Sequence, residues 1–403
     1  MKRFLFITNF YNDVDHTAPL ILDLLEKEHK VGVLGLTSYS LKDDLRVKEL
    51  HRFRNFRTHV FSLLPRNTGT SNQKSGAISL PKKIFRELGF NFFFSLLFLK
   101  YYKYDVVIFT WGRPHAKGFQ RQIFKATRAL NIRSICIPHG QNIYINYDVN
   151  SALRAKFEST QEWPNFIDRN EFDAYIVQTE RHRVQHVEWG MNPAKVHAWG
   201  SLRFDPNWVK INSGLYGDTA SLLSVTPRNL SVVFFLPHWR YNVDEEACLE
   251  LISRIIETPD IALRVKGHTR GDRLRDESIQ RLTRNENVDL DCTLESTPLI
   301  DWADVVVNFG SSIALEAVVK KIPVIYPSFL HDNSTIFDDC DYVFNCQNYN
   351  DVISLLLKPQ LLASISEVAE KSRQQLIKSE VFNSSECSHV AQYYSACILD
   401  MVR

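Results

Sequence analysis

The feature that most constrains this chain is a regular alternation of short apolar runs with helical patterns, in two separate stretches. In the first half the apolar runs fall at 3–8, 31–36, 59–63, 105–109, 134–137 and 174–178, with helical patterns at 18–28, 85–100, 119–130 and 180–189. Runs of this kind suit strands buried on both faces, and their alternation with helices predicts a parallel sheet covered on each side. The rhythm lapses over 206–230, which carry Pro206, Gly214, Gly217 and Pro227, and resumes with apolar runs at 231–236, 261–265, 304–307 and 323–326. A chain of 403 residues also exceeds what one core usually supports. The expectation is an α/β protein with an acceptor domain at 1–205, a linker at 206–230, a nucleotide-donor domain at 231–360 and C-terminal helices at 361–403 that can pack back on the first domain. Both domains would be doubly wound parallel sheets facing a central cleft.

In such sheets ligands sit beyond the carboxyl ends of the strands, and three loops of the second half carry anion-binding chemistry there. The run 304–307 empties into Asn308, Phe309, Gly310, Ser311 and Ser312, ahead of a helical pattern containing Glu316. Ser311 and Ser312 either offer donors to an anion at the helix start or cap the helix. The run 261–265 leads into Lys266, Gly267, His268, Thr269, Arg270 and Gly271, and a third run ends at His238, Trp239 and Arg240. Together these loops predict a diphosphate or nucleotide pocket, with Arg240, Lys266, His268, Ser311, Ser312 and Glu316 as donor-binding residues.

The first half offers the acid–base chemistry. His139 and Gly140 follow the run 134–137, where an imidazole can take a proton from an acceptor hydroxyl near neutral pH. Asp148, nine residues on, either orients His139 or binds acceptor hydroxyls. Asp13, Asp15 and His16 follow the first apolar run and either contact a substrate or cap the following helix. Trp111 and Arg113 end another run, as a sugar platform or as buried packing. Asp13 and Asp15 have the Asp-x-Asp spacing that often holds a metal, yet they lie in the half that lacks the anion loops. The expected reaction is therefore metal-independent, with no cofactor beyond a nucleotide-activated donor.

A balance of 48 basic to 46 acidic residues gives no argument for nucleic acid as a partner. Seven scattered cysteines without a C-x-x-C pair suit reduced thiols in a cytoplasmic protein. The N-terminal apolar run is too short for a secretion signal, and no apolar stretch approaches the ~20 residues of a membrane span. Residues 92–99 are rich in Phe and Leu and are flanked by Lys82, Lys83, Arg86, Lys100 and Lys103. That segment either gives 82–104 a peripheral contact with the inner membrane face or packs on the core.

The order of these segments resembles a GT-B glycosyltransferase of bacterial surface-polysaccharide synthesis, a fold of two Rossmann-like domains. Over about 105–345 the chain is similar to CDP-glycerol glycerophosphotransferases: Pro138-His139-Gly140 matches their His-Gly motif, Gly200-Ser201-Leu202-Arg203-Phe204-Asp205 their Gly-x-x-Arg-x-Asp, and Pro237-His238-Trp239-Arg240 their Pro-Thr-Trp-Arg. Trp111-Gly112-Arg113 followed by His139-Gly140 also looks like the capsule Kdo transferases and sialyltransferases, whose His-Pro motif falls at Gly267-His268. The resemblance implies a transferase that moves a sugar or polyol phosphate from a cytidine-linked donor to a glycan or lipid-linked acceptor, with His139 as the base. It departs from the families at His268-Thr269 and Asn308-Phe309-Gly310. The alternatives are a nucleotide-sugar 2-epimerase of the same fold, which would need carboxylates near His139, and a non-catalytic polysaccharide-assembly partner.

Overall fold

In the computed structural model the described residues are 1–37, 39–60, 90–115, 118–217, 230–268, 273–282, 287–383 and 389–402. The expected strand 59–63, helix 85–100 and linker 206–230 each run partly outside them, as do Lys82, Lys83, Arg86, Thr269, Arg270 and Gly271.

Two compact units divide the chain: 1–140 with 164–205 and 380–403, and 141–163 with 206–379. In the first, seven parallel strands are β1 (Arg3–Thr8), β2 (Lys30–Gly35), β3 (Phe56–Val60), β4 (Val106–Thr110), β5 (Arg133–Ile137), β6 (Ala174–Val177) and β7 (Val196–Ala198), in the order β3-β2-β1-β4-β5-β6-β7. The second unit has β8 (Leu230–Phe235), β9 (Ile261–Lys266), β10 (Val288–Asp289), β11 (Val305–Asn308), β12 (Val324–Pro327) and β13 (Val343–Cys346), ordered β10-β9-β8-β11-β12-β13. Both are Rossmann-like parallel sheets, as the alternation predicts. Strands such as β4, buried at every position, can be this apolar because helices cover both faces. The helix Phe119–Ala129 shows how: Ile123, Phe124, Ala126 and Thr127 are buried on one stripe.

In each sheet the chain first winds one way and then the other, so the order reverses between β1 and β4 and between β8 and β11. Those two switch points, at the carboxyl edges, are where doubly wound sheets bind ligands.

Several boundaries differ from the sequence expectation. The first helix runs Tyr11–Glu26 rather than 18–28, carrying Pro19 inside it. Proline suits a first helical position, which draws the reading toward Ala18, but here only one backbone bond, to Asp15, is forgone. The expected linker begins with a helix, Pro206–Leu215, that buries Trp208, Val209 and Asn212 in the second unit. Strands β7 and β10 are too short to show an apolar run, and β13 is interrupted by the polar, exposed Asn345. The last helix, Val390–Met401, belongs to the first unit, where Tyr394 donates to the Gly200 carbonyl (2.9 Å) and the Asp205 carboxylate accepts from the Val390 amide (2.7 Å).

The helix Phe90–Tyr102 buries Ser95, Phe98 and Leu99 and packs beside the helix Phe119–Ala129, while Phe93, Leu97 and Tyr101 stay exposed. Among the described residues no helix is long and apolar enough to cross a membrane. The six cysteines among them form no disulfide.

Candidate active site

At the switch point of the first unit the helix Tyr11–Glu26 starts directly after β1, placing Asp13 in its first turn. Its carboxylate accepts from the backbone amides of Asn9 and Phe10, satisfying N–H groups that a helix start leaves open. The other carboxylate oxygen meets Nδ1 of His139, from the turn after β5. Asp13 is fully buried, whereas the His139 side chain is partly exposed. A carboxylate on Nδ1 fixes the tautomer and leaves Nε2 as the basic nitrogen. Gln178, at the end of β6, donates to the Gly140 carbonyl (2.6 Å) and holds the turn that carries His139. Phe10 packs edge-on to the imidazole at 6.1 Å.

Asp15 diverges from Asp13, since residues two apart in a helix face different ways. It pairs with the buried Arg46, which also binds Asp44, and lies 3.6 Å from Arg203. The Asp-x-Asp spacing thus serves two separate contacts, both inside the unit. His16 is fully buried, and its pKa is held well below the ordinary value by burial and then by the positive charge of Arg203. Arg203 belongs to the Gly-x-x-Arg-x-Asp passage, so that motif had already marked a residue of this cluster.

Trp111 and Arg113 follow β4. Thr110 pairs with Ile137 across β4 and β5, which brings this segment alongside His139. Trp111 takes a left-handed φ of 45°, a conformation a bulky residue seldom adopts. Gly112 cannot be larger: a Cβ there would sit 2.6 Å from the Phe172 ring.

Asp148 belongs to the second unit, where its carboxylate accepts from Asn146 (2.8 Å) and Arg154 (3.0 Å). The carboxylate that orients His139 is Asp13. The sequence places Asp13 and His139 after strand ends but carries no signal that pairs residues 126 positions apart.

At the second unit's switch point, His238 and His268 stack at 5.5 Å, and Tyr144 donates to the Gly310 carbonyl (2.6 Å). Gly310 has a φ of 72°, and a Cβ there would lie 2.9 Å from the Tyr144 oxygen. Lys266 ends β9; burial lowers its pKa, and it makes no ion pair among the described residues. Arg240 is exposed. Ser311 and Ser312 precede a helix of only seven residues, Ile313–Val319, and Ser312 makes no side-chain capping bond. Glu316 faces the interior, accepting from Thr297 (2.8 Å) and pairing with Lys320 (3.2 Å), which ties its helix to neighbouring ones.

No family model matches the sequence, and neither does any curated protein sequence. Solved structures do. The UDP-GlcNAc 2-epimerase of Neisseria meningitidis, bound to UDP-GlcNAc, superposes with a TM-score of 0.60 at 13% identity, covering 99% of this chain and 100% of its own. That of Methanocaldococcus jannaschii gives 0.59 at 14% identity, covering 99% and 100%. The glycotransferase of kitacinnamycin gives 0.53 at 12%, covering 99% and 98%. The chain therefore has the GT-B class of fold.

These comparisons correct the functional expectation. The matched structures are mostly UDP-GlcNAc 2-epimerases, which are isomerases, and they overturn the reading as a transferase using a cytidine-linked donor. The particular likeness to CDP-glycerol transferases is not supported by these structures. The argument against an epimerase, that the surroundings of His139 lack carboxylates, also fails, because Asp13 is its immediate neighbour.

Proposed function

We propose that this chain is a nucleotide-sugar 2-epimerase acting on a UDP-linked 2-acetamido sugar. The observation that carries the reading is the His139–Asp13 pair at the carboxyl edge of the first sheet. Inverting C2 requires its hydrogen to leave as a proton and return on the opposite face. No carbonyl acidifies that hydrogen, so its removal is coupled to departure of the nucleoside diphosphate from C1: the C1–O bond breaks with its electron pair on the phosphate, and a C1=C2 double bond forms. Return of a proton to C2 and of the diphosphate to C1 completes the inversion. His139, with Nδ1 held by Asp13, supplies the proton-transfer group. Lys266, Arg240, His238 and His268 at the second sheet's edge are proposed to hold the diphosphate, with Ser311 and Ser312 as further donors. The fold likeness to enzymes named for this reaction supports the assignment.

No metal ion enters this reading, because Asp13 and Asp15 already have partners within the protein. The test is incubation with UDP-GlcNAc in D2O containing excess EDTA, followed by proton NMR. Loss of the C2 proton signal and growth of the manno epimer are expected. An intact C2 signal after prolonged incubation, with UDP-GlcNAc and with its 6-carboxylate analogue alike, overturns the assignment, and exchange that needs added magnesium overturns its metal-free form.

A further inference from the structure

Behind Trp111 lies a cation with no counter-ion among the described residues. Arg169 is 1% exposed, on the single turn Ile167–Glu171 that precedes β6. Its guanidinium sits among rings, 3.2 Å from the Phe166 centroid, 4.9 Å from Trp111 and 5.3 Å from Tyr175. Nη1 donates to the Tyr175 hydroxyl (2.8 Å) and to Nε2 of His186 (3.3 Å). Nη2 has no hydrogen-bond partner among the described residues. None of these neighbours is negative: burial pushes the His186 pKa down to about 4 and the Tyr175 pKa well up, so both stay neutral at pH 7. Glu171 pairs with His115 instead, and Asp168 forms no ion pair with Arg169 among the described residues. Burying an unpaired guanidinium is strongly unfavourable, and an anion nearby would offset that cost.

A second cation makes the imbalance larger. Arg113 is exposed, forms no ion pair among the described residues, and its charge acts on both Arg169 and Tyr175. Arg169 lies against an indole whose backbone is held in a strained conformation, and Arg113 follows that indole by two residues on the same segment beside the His139 turn.

We propose that Trp111 and Arg113, backed by Arg169, form a subsite for a carboxylate carried on the sugar of the substrate. The planar guanidinium of Arg113 matches a carboxylate through paired N–H donors, and Arg169 supplies fixed positive potential from beneath. Apart from its diphosphate, the anion that a nucleotide sugar can carry is a carboxylate on the sugar ring. This rests on the epimerase reading and sharpens it: the substrate class is an acidic nucleotide sugar, a UDP-linked 2-acetamido-hexuronic acid.

The test is calorimetric titration of the wild type and Arg113→Gln with UDP, UDP-GlcNAc and UDP-N-acetylglucosaminuronic acid. The exposed position of Arg113 leaves folding intact. The wild type is expected to bind the uronate roughly tenfold or more tightly than UDP-GlcNAc, as a charge-assisted contact gives. The variant loses that preference while its affinity for UDP is unchanged. Equal weakening toward all three ligands assigns Arg113 to the diphosphate and overturns the proposal, as does a wild type with no preference for the uronate. The readout is binding, so a failure to exchange C2 hydrogen counts against the reaction and not against the subsite.

Discussion

The two sheet edges are built on opposite plans. At the first, the groups around the helix start already have one another: Asp13 with His139, Asp15 with Arg46 and Arg203, Arg46 with Asp44. At the second, Lys266 and Arg240 make no ion pair among the described residues, and the two imidazoles of His238 and His268 lie face to face. A group that must move a proton at one atom gains from being oriented before substrate arrives. Cations that neutralise a diphosphate gain from having no prior partner. The contrast predicts that substitutions at the first edge damage catalysis or folding, and that those at the second reduce affinity.

The largest expected effect is from His139→Ala. Loss of the proton-transfer group should lower C2 exchange by ~100 to 10,000-fold while leaving UDP affinity nearly unchanged. A variant with half the wild-type rate would remove the first edge from the chemistry. Next comes Arg46→Met, which leaves Asp15 and Asp44 buried without their cation and should destabilise the protein by about 3–5 kcal/mol in urea unfolding. Stability unchanged within ~1 kcal/mol would mean that the cluster is not a buried ionic network.

Acid separates the units by a different route. Burial lowers the pKa of His59 and of His186, both in the first unit, to about 4. Between pH 6.5 and 4 the unfolded chain takes up protons that these folded rings refuse, so stability is full above that window and falls through it. Each ring should cost about 2 kcal/mol by pH 5. Hydrogen exchange read by mass spectrometry at pH 7 and pH 5 should show first-unit strands losing protection before β8 and β11. Loss in the reverse order would show that other groups govern acid sensitivity.

What the sequence conveys follows the same division. Apolar runs such as β4 and β11 announce themselves because parallel strands covered on both faces must be apolar throughout, and with them come both switch points. The loops at strand ends follow, so His139, Trp111, Lys266 and Gly310 are found at the edges where their strand endings place them. Pairings are not legible. That Asp13 rather than Asp148 meets His139 depends on β5 lying two places from β1 in the sheet, which no local pattern encodes. Arg169 and Gln178 went unnoticed for a related reason: each lies in an unremarkable stretch and matters only through what folds against it. Glu316 shows the reverse failure, a residue on the expected helix whose side chain turns inward to Thr297.

At the second edge, Lys266→Ala and His268→Ala should each weaken UDP binding by about 1–3 kcal/mol, the range for hydrogen bonds to a charged group. The rate of C2 exchange at saturating substrate should change far less. A variant with unaltered affinity but a collapsed rate would break the division of labour between the two edges.

The smallest effect is expected from Asp148→Asn, and it separates the pairing seen in the structure from the one that sequence proximity suggested. Hydrogen bonding from Asn146, helped by Arg154, keeps the Asp148 carboxyl below its ordinary pKa. Its side chain is about a third exposed, where such pairs contribute little to stability. Its backbone carbonyl, which accepts from Asn242 (3.0 Å), survives the substitution. Melting temperature and exchange rate should both stay close to wild type, and the pH profile of exchange should keep its shape. Asp13→Asn is the matched control: it removes the charge that holds the His139 tautomer and should lower the rate by orders of magnitude. If Asp148→Asn instead shifted the pH profile as Asp13→Asn does, the carboxylate acting on His139 during turnover would be the one nine residues away, and the resting Asp13 contact would serve only to cap the helix.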